Sequence, residues 1–425
     1  MTKKSFLFHA GLTLASAYAM ADAGTPSIEK PIDVKEPPFG EYDFTWLNGS
    51  NRQPASLLTT GPLTWSIYAD VYYLYQFNQP IDHTDFPSTV APRHDEISVN
   101  LASIGVDVTG LDGPIGRIYF QYGNNVETDT GQDSTTSRGF FTTHAAFNPI
   151  QQVAAGWHFH ALHGVNTEFG IFPSYVGLES YLPQENWNYL RPFLSDFTPY
   201  YFQGSRNQIY FTQDLKLELW VVNGWQTLSQ WHDTRAGGYI LNWRPSGMLS
   251  ISNAFYTGSD EQLDAGARRY YTDSSVQYKY FKNSALSLVA DLGYESRTSS
   301  PGGILTGASL ADRYEWNPRW ATTLRADVYY DQTQALVLPL PGGGALPDSV
   351  DPFFGRGYTV TLDFIPSPWL IYRLEYMHRD ASIPYFSGHS GISGPTGIAP
   401  GGVAVPGSDF ATSDDRIVAN VTLRL

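Results

Sequence analysis

The sequence predicts an all-β fold, a transmembrane antiparallel up-and-down β-barrel of about sixteen strands. Three observations lead there. Apolar residues repeat with a period of two, the alternating stretches come in pairs joined by short turns, and long polar glycine-rich connections separate one pair from the next. Composition agrees with this pattern. The 425-residue chain holds 11 Trp, 28 Tyr and 24 Phe but only 16% charged residues, and its mean hydropathy is −0.26. A helical membrane protein needs runs of about 18 apolar residues, and none follows the N-terminal stretch. A barrel with an apolar, aromatic outer face and a polar inner face gives a near-neutral average.

The chain opens MTKKSFLFHAGLTLASAYAMADA. Lys3 and Lys4 precede an apolar stretch, and Ala17, Ala19, Ala21 and Ala23 offer A-x-A cleavage sites, so residues 1–23 read as a secretory signal peptide. There is no cysteine, which leaves backbone pairing and packing to supply stability. The formal charge of −15 argues against nucleic acid as a partner. Residues 24–63 read as a periplasmic N-terminal segment. Its EPPFGEYDFTWLNGSNRQP is aromatic enough to form a short plug in the barrel mouth or to pack along the barrel foot.

The barrel is expected over 64–425, with strands at 64–77, 95–108, 115–124, 155–162, 165–172, 204–213, 214–223, 235–244, 247–257, 269–281, 284–295, 310–317, 320–331, 355–365, 369–379 and 415–425. In TWSIYADVYYLYQF, Trp65, Ile67, Ala69, Val71, Tyr73, Tyr75 and Phe77 form one face while Ser66, Asp70 and Gln76 form the other. In ALSLVADLGYES, Leu286, Leu288, Ala290, Leu292 and Tyr294 oppose Ser287, Asp291 and Glu295. WATTLRADVYYD sets Leu324, Ala326, Val328 and Tyr330 against Thr323, Arg325, Asp327 and Asp331. The closing RIVANVTLRL points Ile417, Ala419, Val421, Leu423 and Leu425 outward. Short turns fall near Gly110 and at Thr212, Arg244, Lys282, Asn317 and Pro366. An even strand number then puts both chain termini and every short turn on the periplasmic side, and every long loop outside. HFHALHGVNTEFGIF gives the weakest pair of strands. If it holds one strand and a bend, twelve or fourteen strands also satisfy the pattern. The apolar parity of the second strand changes between Leu101 and Ile104, which predicts a β-bulge. A secreted β-sandwich also alternates, but its strands would be shorter and its loops less one-sided.

Four stretches carry a family resemblance: FTWLNGSNRQ (Phe44 to Gln53), GVNTEFGIFPSYVGLESYLPQENWNY (Gly164 to Tyr189), PYYFQGSRNQIYFTQDLKLELWVVNGWQ (Pro199 to Gln226) and NWRPSG (Asn242 to Gly247). Together they resemble the OmpL-like β-barrel porins of Gram-negative bacteria. The resemblance implies a bacterial outer-membrane barrel with a pore, and supplies no residue-level functional motif.

A barrel of about sixteen strands is too wide for side chains to fill, so an aqueous channel is expected. Its selectivity would depend on the inward charges and on any loop that narrows the bore. The polar strand faces put Asp70, Arg117, Arg206, Lys216, Glu218, Lys279, Asp291, Glu295, Arg325, Asp327, Asp363, Arg373, Glu375 and Arg424 in the lumen. Both signs are present equally, which predicts weak ion selectivity unless they segregate. Each such charge is also open to a plainer reading, as a structural ion pair or a solvated wall position.

Candidate catalytic and metal sites are sparse. HFHALHG places His158, His160 and His163 close together without a nearby carboxylate or cysteine to complete a metal set. Ser174 and His144 are the nearest thing to a nucleophile and base, and no elbow or oxyanion glycine signature frames them. The chain therefore reads as a non-enzyme without cofactor or metal. Its expected partners are outer-membrane lipid and small hydrophilic solutes, and the class admits a homo-oligomer.

The leading functional expectation is passive diffusion of small hydrophilic solutes. A second is a surface adhesion or assembly scaffold acting through long loops, above all the glycine-rich loop from about Ala381 to Asp414. Between the fifth and sixth strands lies GLESYLPQENWNYLRPF (Gly177 to Phe193), which keeps neither period. By its position in the third long loop, around 173–203, it is the candidate constriction. Tyr181, Trp187 and Tyr189 are suited to anchoring it on the wall, and Glu179, Glu185 and Arg191 to facing the solute path. The plainer reading is an external cap packed on its own aromatics.

Overall fold

The computed structural model describes residues 58–108, 111–129, 133, 135, 144–298, 300–337 and 351–425. The expected signal peptide, and the expected plug up to residue 57, lie outside the described residues. Sixteen long strands run β1 (Leu63–Gln76), β2 (Glu96–Val108), β3 (Pro114–Tyr122), β4 (Ile150–Phe159), β5 (Val165–Pro173), β6 (Tyr201–Tyr210), β7 (Leu215–Val222) and β8 (Ala236–Ser246). They continue as β9 (Leu249–Gly258), β10 (Arg268–Phe281), β11 (Ser284–Ser296), β12 (Gly303–Asn317), β13 (Trp320–Asp331), β14 (Phe353–Ser367), β15 (Leu370–Ala381) and β16 (Ser413–Arg424). Each pairs antiparallel with its sequence neighbour, and β16 pairs with both β15 and β1, through Leu370↔Leu423 and Tyr68↔Arg424. The main sheet is therefore a closed barrel, and the other pairings among the described residues are two-residue ribbons, too small to form the second layer of a sandwich.

Alternation decides which way each side chain points. In β13, Leu324, Ala326 and Val328 are exposed on the outside while Thr323, Arg325 and Asp327 are buried inside. The exposed outer face carries Ile67, Leu288, Leu292, Leu324, Val360 and Leu374. Trp157, Trp243, Trp316 and Trp320 are exposed near the short-turn end, and Tyr239, Tyr270, Tyr294 and Phe354 near the other. An apolar band between two aromatic rings is a surface made for a bilayer.

Every expected strand is present, with shifted ends. β4 starts at Ile150 and β12 at Gly303, earlier than the sequence pattern suggests. Gln151 and Gln152 dilute the first, and the inward Leu305 breaks the alternation of the second. HFHALHGVNTEFGIF does form two strands, with Leu162 and Gly164 at φ 55° and 119° in the turn between them. The bulge in β2 lies at Asn100: Asp70 pairs with Leu101 and Val71 with Val99, so Asn100 has no opposite number. Asn100 and Leu101 both end up inside, and the Asn100 amide donates to Asp70 Oδ2 at 2.7 Å.

One glycine is dictated by packing. A Cβ on Gly238 would sit 1.8 Å from the Phe255 carbonyl oxygen and 2.5 Å from Tyr175 Oη, where the Tyr175 hydroxyl donates to that same carbonyl at 3.2 Å. Gly238→Ala should therefore push β8 from β9 and cost about 1–3 kcal/mol by overpacking. The temperature at which the folded barrel loses its compact gel mobility should fall; an unchanged temperature would show that the backbone has room there.

Candidate functional site

The connection from β5 to β6, residues 174–200, turns into the barrel instead of away from it. The Ser174 amide still pairs with the Tyr200 carbonyl at 3.0 Å, so both ends leave the wall together. Gly177 then adopts φ 93°, with Thr198 Oγ1 only 2.9 Å from where a Cβ would lie. Because the segment keeps neither a helical nor a strand ladder, its amides and carbonyls need other partners. Strand side chains from the far side of the lumen provide them. Glu375 of β15 accepts from the Tyr189 and Leu190 amides at 2.6 and 2.8 Å. Arg373 donates to the Pro183 and Asn186 carbonyls, the latter at 2.6 Å, and Arg325 of β13 to that of Leu190 at 2.9 Å. Asp327 accepts from the Phe193 amide at 3.1 Å, and Arg379 bonds the Arg191 carbonyl and the Asp196 carboxylate.

Side chains complete the docking. The Tyr189 hydroxyl donates to Asp70 of β1 at 2.9 Å, and Glu179 pairs with Arg325 at 3.2 Å. Glu185 pairs with Arg424 of β16 at 3.0 Å. Trp187 packs against Ala285 and Ala311, where small residues on β11 and β12 leave it room. Tyr181 sits among Tyr68, Leu101, Ile171 and Tyr200.

Nearer the outer end, Phe193 and Phe197 pack with Tyr329, Phe353, Tyr385 and Phe386, their ring centroids 4.6 to 6.4 Å apart. Tyr385 and Phe386 come from the loop after β15, so that glycine-rich connection is anchored in the barrel. Its Phe386–Ser387 pairs with Phe410–Ala411. The loop after β1 joins them through Thr89 Oγ1, which donates to Asp196 at 2.6 Å, and through Asp85, 2.9 Å from Arg416. Folded-in segments occupy much of the outer half of the barrel.

The inward wall charges are mostly tied to one another. Glu168 of β5 lies 2.5 Å from Arg206 and 2.9 Å from Arg117. Lys216 is 2.6 Å from Glu218, which also accepts from Gln208 at 2.8 Å. Asp363 bridges Arg313 and Arg373 at 2.8 and 2.9 Å, and Glu295 pairs with Arg269. Asp291 accepts from the Tyr271 hydroxyl at 2.7 Å. Asp70 collects Asn100, Asn420, Thr422 and Tyr189. Lys279, half-buried near the turn end, shares a small recess with Arg313 and Glu315. Reading the sequence missed Glu168, Arg313, Arg379 and Arg416, all legible from strand parity. It also missed Asp85 and Asp196, which sit in loops and carry no such signal.

Beside the docked segment a cavity remains, lined by β1 to β4 and by Glu179, Tyr181, Glu185 and Arg191. Trp187 and Tyr189 lie away from it against the wall. Burial raises the Glu179 carboxyl, while Arg325 and Arg191 pull it down. Burial likewise pushes the loop residues Asp85 up to about 7 and Asp129 up to about 8. His158 bonds Asn166 at 2.7 Å and His160 bonds Asp112 at 2.8 Å. Among the described residues no group of three or more His, Cys, Asp or Glu could hold a metal ion. The Ser174 hydroxyl donates to the Val176 carbonyl at 2.9 Å; the His144 side chain lies outside the described residues.

A closed antiparallel barrel with an apolar belt and a polar, charged interior is a transmembrane barrel of the bacterial outer membrane. The chain belongs to the family described as putative beta-barrel porin-2, OmpL-like, which matches residues 62–398. No curated protein matches it in sequence. Among solved structures it is similar to the anion-selective porin of Comamonas acidovorans, at 10% identity and TM-score 0.52, over 85% of this chain and 99% of that one. It is also similar to the channel DcaP of Acinetobacter baumannii, at 10% identity and TM-score 0.52, over 87% and 100%. A third neighbour is the trimer form of OmpT, an outer membrane protein of Vibrio cholerae, at 8% identity and TM-score 0.51, over 86% and 100%. At these identities the likeness is one of fold.

Two outcomes follow from the buried charges. Glu168→Ala leaves Arg206 and Arg117 in the wall without their carboxylate, at a cost of about 3–5 kcal/mol, so the heat-unfolding temperature should drop sharply; Glu168→Gln should drop it less. Asp129 titrates near 3.8 when unfolded and about 8 when folded. The folded chain therefore holds a proton that the unfolded chain has released, and stability from this group declines as pH rises from about 4 to about 8. Asp129→Asn should flatten that decline in melting temperature, and an unaltered slope would assign it to other groups.

Proposed function

We propose that the protein is an outer-membrane porin for passive diffusion of small hydrophilic solutes, with the segment 174–200 as its constriction. The observation that carries this reading is the docking of that segment on the opposite wall through Glu375, Arg373, Arg325 and Asp327. A loop that only capped the mouth would have no reason to place Tyr189 on Asp70, well down β1. The path then runs through the cavity bounded by β1 to β4 on one side and Glu179, Glu185 and Arg191 on the other. A channel, not a catalyst, fits a site whose charges are arranged along a passage and whose Ser174 hydroxyl is bonded to backbone. Lipid on the apolar belt fits as well, and the trimer form of the OmpT neighbour supports a homo-oligomer.

The scaffold alternative rests on the loop 382–412, whose exposed tip includes Ile398 and Val403. Its base is core to the barrel mouth, through Ile383, Tyr385 and Phe386, so only the tip is free to meet a partner.

Purified protein in a planar bilayer should give discrete conductance steps. Glu375→Ala, which removes the acceptor for two loop amides, should raise single-channel conductance by about twofold or more as the segment loosens. Exchanging Glu185 and Arg191 together for alanine should shift conductance or ion selectivity. If both variants conduct as the parent does, the segment is a cap and the constriction lies elsewhere.

A further inference from the structure

Within the lumen cavity, each acid on the lining has a basic or hydroxyl partner. Glu179 is held by Arg325 and Glu185 by Arg424. Asp107 accepts from the Tyr119 hydroxyl, with Arg117 at 3.9 Å. Arg117 is in turn matched by Glu168. Arg191 differs from all of these. Only 2% exposed, it lies over the Tyr200 ring at 4.5 Å, and its Nη2 reaches the Glu179 carbonyl at 3.4 Å. Its Nε and Nη1 find no hydrogen-bond acceptor among the described residues.

A buried guanidinium with half its fork unused is expensive, because those N–H groups have given up water and gained nothing. The two carboxyls that feel its charge do not cancel it. Glu179 already serves Arg325, and Asp129, pushed by burial up to about 8, is largely protonated at neutral pH. The Tyr200 ring covers one face of the guanidinium, which leaves its N–H edge as the part that an acceptor entering the cavity can engage. A planar pair of donors of that kind matches the two oxygens of a carboxylate. Arg191 lines the cavity beside the docked segment, where a small organic solute in the passage would meet it.

We infer that Arg191 is the recognition point of a binding site in the pore for small hydrophilic organic anions, held by a carboxylate. This rests on the porin reading and deepens it: the same passage would select among solutes by that one group. An anion entering satisfies the orphaned donors.

The probes are gluconate, glucose and glucosamine, which share size and hydroxyls but differ in charge. Each is added to single channels in a planar bilayer, and the concentration that half-blocks the current is read. Gluconate should block at a concentration about tenfold or more below glucose or glucosamine. Arg191→Gln should erase the preference, and Arg191→Lys, which keeps the charge but loses the fork, should retain part of it. Heat-modifiable gel mobility reports folding; if Arg191→Gln does not fold, Arg191→Lys alone carries the comparison through a weaker but surviving preference. Equal block by all three sugars, or a preference unchanged in the variants that fold, overturns the inference while leaving the porin intact. A parent protein with no conductance at all overturns the porin reading itself.

Discussion

Everything in this molecule follows from one constraint: in hydrocarbon there is no water to bond a backbone N–H or C=O. A sheet meets that demand only by closing, and here β16 closes on β1 through a run of paired residues from Tyr68↔Arg424 to Gln76↔Arg416. Closing with every neighbouring pair antiparallel requires an even strand number and puts the short turns on one side. It also divides every strand into a lipid face and a lumen face. The outer band of Leu, Ile and Val and the inner ranks of Asp, Glu and Arg are two readings of one period.

The same closure creates a second demand. Sixteen strands enclose more space than their inward side chains fill, and the chain answers by sending its own connections inside. A segment brought in this way carries backbone groups with no ladder to join. The wall charges opposite it are their partners: Glu375 for two amides, Arg373 for carbonyls, Asp327 for the Phe193 amide. Wall charge here is first a means of holding irregular backbone in place, and only what remains unmatched is available to a solute.

That order explains what could be read from the sequence. Strands were legible because period two is local, and so was the bulge, which sits at Asn100, one residue before the parity break expected between Leu101 and Ile104. Ends were less so where polar or small residues thin the pattern, as at Gln151 and Gly303. The segment 177–193 was legible as an anomaly, since it keeps no period, and its candidate roles followed from residue type. Which wall residue it meets was not, because Tyr189 and Asp70 are joined only by the fold. The packing of Phe193 against Phe386 is equally invisible, with nearly half the chain between them.

Pairing has a consequence for selectivity. A wall with equal numbers of each sign suggests a weakly selective pore, but counting assumes every charge is free to act. Glu168, shared by Arg117 and Arg206, presents little field to a passing ion, as does Asp363 between Arg313 and Arg373. Close pairs decay as dipoles, and the field that survives comes from groups without a near partner. In the cavity beside the docked segment that leaves Arg191, on a loop rather than on the wall. Its place there matters. A charge on the wall is fixed by two strands, whereas one on the segment moves with the segment, so solute preference and bore width are set by the same piece of chain. Substitutions that loosen the docking should therefore change both together, even where they leave Arg191 itself untouched.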